Sequence, residues 1–292
     1  MKLKVLRANP AGNITLFVLD PVPPGDRAGI ASRLMALPGS DVEQVGFLCP
    51  PLGDGMARLE MAGGEFCGNA TRAFGLFTAR NKGIAQGQVL VEISGCEGPV
   101  TVDVDQAAGT ARAQMPLPRG VGRTEVDGRP ATMVDLVGIA HLVVEDAPPS
   151  LDFFEKAEPL FRDIPDLDAY GVIFLDRERG TMTPLVKVPA AGSLVWEGSC
   201  GSGSLAAAVA QSQDAPDGPF VRSYVQPAGV VEATVIRRDG EEVAAWIGGP
   251  VSLDSPVTVE LDSVYSSYAR MAAQIAIQRT CTAAIKASEV LA

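Results

Sequence analysis

A short motif occurs twice in this chain, and it constrains the fold more than any other feature of the sequence. The pattern C-G-[NS]-[AG]-[TS]-x-A begins at Cys67 and begins again at Cys200. Each copy follows a short segment that is predicted to be a strand, at 57–61 or 194–196, and precedes a stretch that is suited to a helix. Because each half of the chain carries one such strand-to-helix unit, the sequence predicts two α/β domains of similar architecture.

The remaining hydrophobic pattern consists of short alternating or β-branched runs, which are typical of strands, and a few helical stretches. A helix is predicted over 24–37, ended by Pro38-Gly39, and another over 151–161. We interpret 116–122 as a turn region between the halves. Strands are predicted at 3–7, 14–19, 57–61, 89–93, 100–104 and 111–115, and then at 132–136, 141–144, 172–175, 183–188, 194–196, 220–224, 231–236 and 243–247.

These patterns predict three parts of the chain. We expect an N-terminal domain over 1–117, joined by part of 250–262, and a C-terminal domain over 118–250. Residues 263–292 are rich in Ala and contain neither Gly nor Pro, so they are predicted to form a C-terminal helix. That helix could pack on the body or on a partner chain, and the sequence does not decide between the two.

The charge balance narrows the range of partners. There are 24 Lys and Arg residues against 35 Asp and Glu residues, which gives a formal net charge of −11. Nucleic-acid-binding proteins and proteins at anionic membrane surfaces need clustered cations, which a chain this acidic lacks. No apolar run approaches the roughly 18 residues of a membrane-spanning helix, and the first residues show no signal-peptide pattern. We therefore expect a cytoplasmic protein with a small-molecule partner, and neither a nucleic-acid nor a membrane partner.

The cysteines point to individual thiols as the reactive groups. Their odd number, wide spacing and lack of a C-x-x-C pair argue against a disulfide framework and against a metal site. Cys67 and Cys200 are predicted to lie at helix starts, where unpaired N–H groups and the helix dipole favour a thiolate. The backbone N–H groups that follow can bind a carboxylate, as helix N-termini bind anions. These groups belong to Gly68, Asn69, Gly201 and Ser202.

Two such helix starts facing each other would place one sulfur on each side of an amino-acid Cα. Inversion of a stereocentre needs a base on one face and an acid on the other, together with donors that stabilise the carbanion-like state at the carboxylate. A thiolate and a thiol meet this need and exchange roles when the reaction runs backwards. No Lys-based pyridoxal motif is evident, so we predict amino-acid racemisation without a cofactor.

The segments around these motifs carry a family resemblance. The chain resembles the diaminopimelate epimerase superfamily of cofactor-independent racemases and epimerases, and within it the histidine racemases of opine-type (staphylopine-like) metallophore biosynthesis. The resemblance implies two pseudo-symmetric domains, each a curved mixed sheet around a central helix, with the active site between them. The matching segments are N-P-A-G-N-I-T at 9–15, E-Q-V-G-F at 43–47, G-E-F-C-G-N-A-T at 64–71, S-G-C at 94–96, W-E-G-S-C-G-S-G-S at 196–204 and Q-P-A-G at 226–229.

The resemblance also implies roles for individual residues. It implies that Cys67 and Cys200 are the acid/base pair and that the four residues after them bind the α-carboxylate. It places Asn13 at the rim of the pocket and Glu43 against the substrate side chain. His141, the only histidine, lies in an apolar run, so we expect it to line the pocket or to be structural rather than to carry protons. For Glu197, just before the second motif, a structural role and an orienting role both stay open.

One departure from the diaminopimelate epimerases bears on the substrate. Those enzymes carry a Glu-Arg-Gly segment before the second cysteine, and residues 190–192 here are Ala-Ala-Gly. Without that arginine, a distal carboxylate of the substrate would stay unpaired, which disfavours diaminopimelate. A carboxylate at position 43 suits an imidazole. We therefore expect a homodimer that interconverts L- and D-histidine; the alternatives are a diaminopimelate epimerase, a racemase of another amino acid, and a non-catalytic amino-acid-binding protein.

Overall fold

The computed structural model describes residues 1–261, and the C-terminal helix predicted over 263–292 lies outside this range. Strands dominate the described residues, and their pairings connect them into one continuous 18-stranded sheet that wraps around a few helices. The mixed α/β fold predicted from the sequence is confirmed. The two halves repeat one arrangement, in which a buried helix that begins at a motif cysteine is surrounded by strands.

Strands outnumber helices in both halves of the chain. The first half contains β1 (Lys2–Asn9), β2 (Thr15–Val18), α1 (Pro24–Met35), β3 (Gln44–Cys49), β4 (Ala57–Met61), α2 (Gly68–Lys82), β5 (Gln86–Ile93), β6 (Val100–Asp105) and β7 (Thr110–Met115). The second half contains β8 (Gly120–Val126), β9 (Arg129–Leu136), β10 (Ile139–Glu145), α3 (Leu151–Ala157), β11 (Ala169–Asp176), β12 (Thr181–Val188), β13 (Ser193–Trp196), α4 (Gly201–Ser212), β14 (Gly218–Gln226), β15 (Gly229–Arg238) and β16 (Glu241–Pro250). Two short strands follow, β17 (Ser252–Leu253) and β18 (Val257–Glu260).

The helix α2 forms the centre of the first half. Every residue from Gly68 to Ala79 is buried, so the helix is covered on all sides rather than on one stripe. Phe74 and Phe77 pack with Phe17 of β2 in a cluster with ring centroids 5.7–5.9 Å apart. Gly75 lets the helix approach the sheet, because a Cβ there would lie 2.5 Å from the side chain of Val102.

The helix α4 has the same position in the second half. Its segment Leu205–Val209 is fully buried and consists mostly of alanine, which allows the surrounding strands to pack close to the helix axis. The core around it includes Ile173, Tyr224 and Ile247, and Cys200 is part of the same core. The start of the helix is therefore fixed by packing on several sides.

Three strand pairings join the halves. β16 pairs antiparallel with β7, so the sheet of the second half continues directly into that of the first. After β16 the chain returns, and β17 and β18 both pair with β1. The domain boundaries stay predictions, since the sheet itself is continuous across both halves.

The two helices predicted outside the motifs have different outcomes. The first forms as Pro24–Met35, ahead of the Pro-Gly pair that was expected to end it. The second is broken: α3 ends at Ala157, and a 3₁₀ turn follows over Glu158–Phe161. Pro159 has no N–H to continue the helical hydrogen bonds, which explains the break.

Candidate active site

The two motif cysteines cap their helices in the same way. Cys67 precedes α2 with φ −127° and ψ 109°, and Cys200 precedes α4 with φ −121° and ψ 110°. The sulfur of Cys67 accepts a hydrogen bond from the N–H of Ala70 at 3.4 Å, and that of Cys200 from Gly203 at 3.3 Å. Each sulfur is thus held among the otherwise unpaired N–H groups of a helix start.

A hydroxyl group four residues after each cysteine completes the match. Thr71 Oγ1 donates to the carbonyl oxygen of Cys67, and Ser204 Oγ donates to that of Cys200, both at 2.7 Å. Ser and Thr make this contact because their short side chains reach back one helical turn. The Thr/Ser position of the repeated motif therefore has a structural function.

The two helix starts converge on one region of the molecule. A Cβ on Gly68 would lie 2.8 Å from Ile247 Cδ1, and a Cβ on Gly201 would lie 2.7 Å from the same atom. The Cβ on Gly201 would also lie 3.5 Å from the side-chain amide of Asn69. A side chain at either position would have to displace the end of the Ile247 side chain, so glycine allows the two helix starts to lie this close without repacking. The structure thus brings both cysteine-bearing N-termini together.

Two loops with the sequence P-A-G pack against each other beside the cysteines. A Cβ on Gly12, whose φ is +96°, would lie 2.3 Å from the Cβ of Ala228. A Cβ on Gly229 would lie 2.4 Å from the carbonyl oxygen of Ala11. One loop comes from each half of the chain, so this close contact fixes the halves relative to each other near the site.

The loop contact predicts a destabilising substitution. Gly229→Ala places its Cβ against a backbone oxygen, which cannot move without displacing the loop that leads to Asn13. We expect the free energy of unfolding to fall by about 1–3 kcal/mol, as in other overpacked sites. The measurement is a urea titration. Gly29→Ala, in α1 with open space around it, is the control, and an unchanged urea midpoint for Gly229→Ala would refute the steric account.

Gln226 connects the second loop to α4. Its side-chain oxygen accepts from the N–H of Cys200 at 2.7 Å, and its amide nitrogen donates to Ser204 Oγ at 2.9 Å. The residue is 5% exposed. The sequence indicated Gln226 only as part of the Q-P-A-G segment and predicted no function for its side chain.

Asn13 and Glu43 lie next to Cys67. The Cys67 thiol donates to Asn13 Oδ1 at 3.8 Å, and Asn13 Nδ2 donates to Glu43 Oε2 at 2.8 Å. Burial raises the pKa of Glu43, the bond from Asn13 opposes this shift, and the charge of Asp41 adds to it. The carboxylate therefore fixes the Asn13 amide so that its oxygen faces the thiol.

Ser202 and His141 lie next to Cys200. Ser202 Oγ is 3.5 Å from the sulfur and 2.8 Å from His141 Nε2. The imidazole is fully buried, and its Nδ1 has no hydrogen-bond partner. Burial lowers the pKa of His141 to about 3, so the ring is neutral near pH 7. The structure places His141 behind Ser202, without an exposed surface.

The buried imidazole predicts a pH dependence of stability. The unfolded chain protonates His141 below about pH 6.5, whereas the folded chain does so only near pH 3. Its stabilising contribution is therefore complete above pH 6.5 and is lost as the pH falls towards 3. Between pH 7 and pH 5, the free energy of unfolding of the wild type should fall by about 2 kcal/mol more than that of His141→Gln, as measured by urea titrations. The other titratable groups are the same in both proteins, so the difference reports His141. Unfolding free energies that change with pH in parallel would contradict the low pKa of His141.

Glu197 lies closer to the sulfurs than we could infer from the sequence. The charge of Glu197 acts on both thiols. Burial raises the pKa of Glu197 to about 7, the Cys200 side chain opposes this shift, and the nearby charge of Glu43 adds to it. Glu43 and Glu197 thus bring two carboxyl groups to one site.

Burial reverses the pKa shift that we expected for the thiols. It raises the pKa of Cys67 to about 11 and that of Cys200 well above 9, and it outweighs the helix N–H groups that lower both. The charge of Glu197 raises both pKa values further, and that of Glu65 raises the value for Cys67. The expectation of lowered pKa values considered the helix start alone and is wrong, because burial outweighs the helix start.

Arg72, in α2, is a buried cation that we did not identify from the sequence. It has no exposed surface, and it donates to Asn69 Oδ1 at 3.1 Å, to the carbonyl oxygen of Pro250 at 3.0 Å and to that of Pro10 at 2.8 Å. Burial lowers the pKa of Arg72 to about 10, so it stays charged. It therefore ties the helix start to the first P-A-G loop and to the end of β16.

The described residues were also compared with the requirements of a metal-binding cluster and of a membrane-spanning helix, and they meet neither. Within residues 1–261, no group of three or more His, Cys, Asp and Glu side chains is placed to hold a metal ion. No helix in the same range is both long enough and apolar enough to span a bilayer.

Comparison with known proteins agrees with the fold and the motifs. The family model described as "Histidine racemase CntK N-terminal domain" matches residues 2–257. A histidine racemase of Fusobacterium nucleatum is 29% identical over 277 residues, which cover 86% of this chain and 94% of the relative. A histidine racemase of Staphylococcus aureus is 28% identical over 235 residues, which cover 77% and 86%.

A solved structure shares the fold at low sequence identity. It is a phenazine biosynthesis protein of the PhzF family from Bacillus anthracis, with a TM-score of 0.67 and 14% identity. The match covers 89% of this chain and all of that chain. The chain is therefore an isomerase that belongs to the histidine racemase family described by the CntK N-terminal domain.

Proposed function

We propose that the protein interconverts L- and D-histidine without a cofactor, using Cys67 and Cys200 as the two acid–base groups. The observation that carries this proposal is the convergence of two helix N-termini, each capped by a cysteine, on one region. The names of the relatives support the choice of racemisation and of histidine.

The helix starts supply the donors for the substrate carboxylate. Gly68, Asn69, Gly201 and Ser202 belong to the first turns of α2 and α4, where backbone N–H groups lack helical partners. These groups bind an anion and withdraw charge from Cα as the proton leaves. Glycine after each cysteine allows the carboxylate to reach the backbone.

The proton is transferred between the two faces of Cα. The thiolate on one face takes the Cα proton, so a C–H bond breaks and an S–H bond forms. The thiol on the other face then donates its proton to Cα, which inverts the centre. The cysteines end with exchanged protonation states, and the reverse reaction uses them in the opposite roles.

Glu43 binds the substrate side chain in this proposal. Asn13 holds one of its oxygens, and the other would lie 3.9 Å from a Cβ on Gly198, towards the second motif. Among the described residues, no Lys or Arg forms a salt bridge with this carboxylate. An imidazole N–H is a suitable partner for it.

The experiment is a screen of the common L-amino acids, with diaminopimelate added, in deuterated buffer without pyridoxal phosphate. We expect deuterium at Cα and loss of optical rotation for histidine above all others. Exchange of diaminopimelate in place of histidine would instead favour an epimerase. Tight binding of histidine without exchange would favour a binding protein.

The cellular setting is a further part of the proposal. We propose that D-histidine from this reaction supplies opine-type metallophore synthesis in the cytoplasm and that the enzyme is a homodimer. The family resemblance supports the pathway, and a small amino-acid substrate accords with the acidic chain. Light scattering during size-exclusion chromatography tests the dimer, and metallophore production after gene deletion tests the pathway.

A further inference from the structure

The two P-A-G loops extend the internal repeat of the chain, but the residue that starts each loop differs. The first loop reads N-P-A-G from Asn9, and the second reads Q-P-A-G from Gln226. Asn9 bonds within its own loop, where its Oδ1 accepts from the N–H of Gly12 at 2.7 Å. The side chain of Gln226 is one methylene longer, and it leaves the loop to reach the start of α4. The second loop therefore holds a neighbouring segment of the chain.

Gln226 and Ser204 together engage both backbone polar groups of Cys200. The N–H of Cys200 donates to Gln226 Oε1 at 2.7 Å, and Gln226 Nε2 donates to Ser204 Oγ at 2.9 Å. Ser204 Oγ in turn donates to the carbonyl oxygen of Cys200 at 2.7 Å, which closes a ring of hydrogen bonds. Because the peptide groups on both sides of the Cys200 Cα are held, the direction of its Cα–Cβ bond is fixed.

Two further contacts keep the second loop beside this segment. The N–H of Ala228 donates to the carbonyl oxygen of Gly198 at 2.8 Å, and a Cβ on Gly198 would lie 2.9 Å from that of Ala228. Gln226 and Ser204 are 5% and 0% exposed, so water does not compete for their hydrogen bonds. A buried N–H that loses its partner stays unpaired, and the orientation of Cys200 therefore depends on one carboxamide.

We propose that Gln226 is a positioning residue that aims the Cys200 sulfur at the Cα of the substrate. The inference rests on the proposed function, in which Cys200 exchanges a proton with one face of Cα. Gln226 acts through the backbone of Cys200, since the ring of hydrogen bonds occupies both of its side-chain polar atoms. A displacement of about 1 Å at a reacting group can lower a rate by about 100-fold. Loss of the contact therefore slows proton transfer on the Cys200 face of Cα.

Gln226→Asn removes this contact while it preserves the loop. The variant gives the second loop the sequence of the first, N-P-A-G, so its side chain can bond to the N–H of Gly229 as Asn9 bonds to that of Gly12. It is one methylene too short to hold the N–H of Cys200.

A second variant and a control complete the design. Gln226→Met keeps the length and the apolar packing of the side chain but removes both hydrogen bonds, and it decides the question if Gln226→Asn does not fold. Gln211→Asn is the matched control, because it shortens a partly buried glutamine in the last turn of α4. The contacts of Gln211 are with Glu145 and Tyr224.

Amide hydrogen exchange, followed by nuclear magnetic resonance, tests the contact without substrate. The N–H of Cys200 is buried and bonded in the wild type, so it should exchange slowly with heavy water. We expect both Gln226 variants to speed exchange at Cys200 about tenfold or more, and Gln211→Asn to leave it unchanged. Exchange at the wild-type rate in the Gln226 variants would overturn the proposal.

Kinetic isotope effects with Cα-deuterated L- and D-histidine test the positioning itself. Both Gln226 variants should lower kcat/KM by about 10- to 100-fold, and by the same factor in both directions because the enantiomers have equal energies. Since proton transfer at Cys200 becomes the slow step, the isotope effect should rise for the enantiomer whose Cα–H faces Cys200 and fall for the other. A loss of folded protein alone would lower the rates and leave both isotope effects unchanged, which would refute the positioning role.

The two measurements separate this inference from the proposed function. Faster amide exchange at Cys200 in a protein whose wild type does not racemise histidine would refute only the proposed reaction. Racemisation by the wild type, with wild-type isotope effects in both Gln226 variants, would refute only the role of Gln226.

Discussion

Cys67→Ser and Cys200→Ser are each expected to reduce histidine racemisation by at least about 100-fold, the usual contribution of a general acid or base. A serine hydroxyl ionises far less readily than a thiol, so it cannot serve as the base on its face of Cα. Folding should be preserved, because serine is a better helix N-cap than most residues and can accept the same N–H hydrogen bond. Chiral chromatography measures the rate, and circular dichroism measures the fold.

The controls separate these two cysteines from the rest. Cys96→Ser changes a partly buried thiol outside the convergent helix starts and should retain most of the activity. The double variant Cys67→Ser/Cys200→Ser should be no less folded than either single variant. Full activity in either single variant would remove the two-thiol mechanism.

Glu43→Gln is expected to lower kcat/KM for histidine by about 10- to 100-fold. This corresponds to about 1.4–2.7 kcal/mol, the size of a hydrogen bond between the substrate imidazole and a charged carboxylate. The amide oxygen can still accept the bond from Asn13, so the geometry next to Cys67 is kept while the charge is removed. Steady-state kinetics in both directions measure the effect.

Glu65→Gln is the matched control for this variant, since Glu65 is an exposed carboxylate whose charge acts on Cys67. It should change kcat/KM by less than about threefold, as expected of an exposed charge. Unchanged histidine kinetics in Glu43→Gln would discard the role of Glu43 in binding the side chain.

Local sequence patterns were sufficient to predict those parts of the fold that neighbouring residues determine. The two strand-to-helix units were predicted because the cysteine, the glycine after it and the short hydroxyl residue each have a local function at a helix start. β8 was missed, and its first residues lie in the region interpreted as a turn, 116–122. Of its residues only Val126 is buried, and it is formed by pairing with β9 rather than by an apolar pattern of its own.

The rest of the site depends on contacts between distant parts of the chain. Arg72 binds Pro10 and Pro250, and Gln226 binds Cys200, so neither function could be inferred from neighbouring residues. A charge inside the apolar run A-T-R-A-F was the one available signal for Arg72. The raised thiol pKa values result from burial, which tertiary packing alone determines.

The fate of the Cα hydrogen in heavy water tests the two-thiol claim most directly. Starting from L-histidine, chiral separation and mass spectrometry of the earliest product should find D-histidine that carries solvent deuterium, while the remaining L-histidine keeps its protium. Separate donors and acceptors on opposite faces require this pattern. D-histidine that retains the original hydrogen would mean that a single group serves both faces, and it would contradict the account.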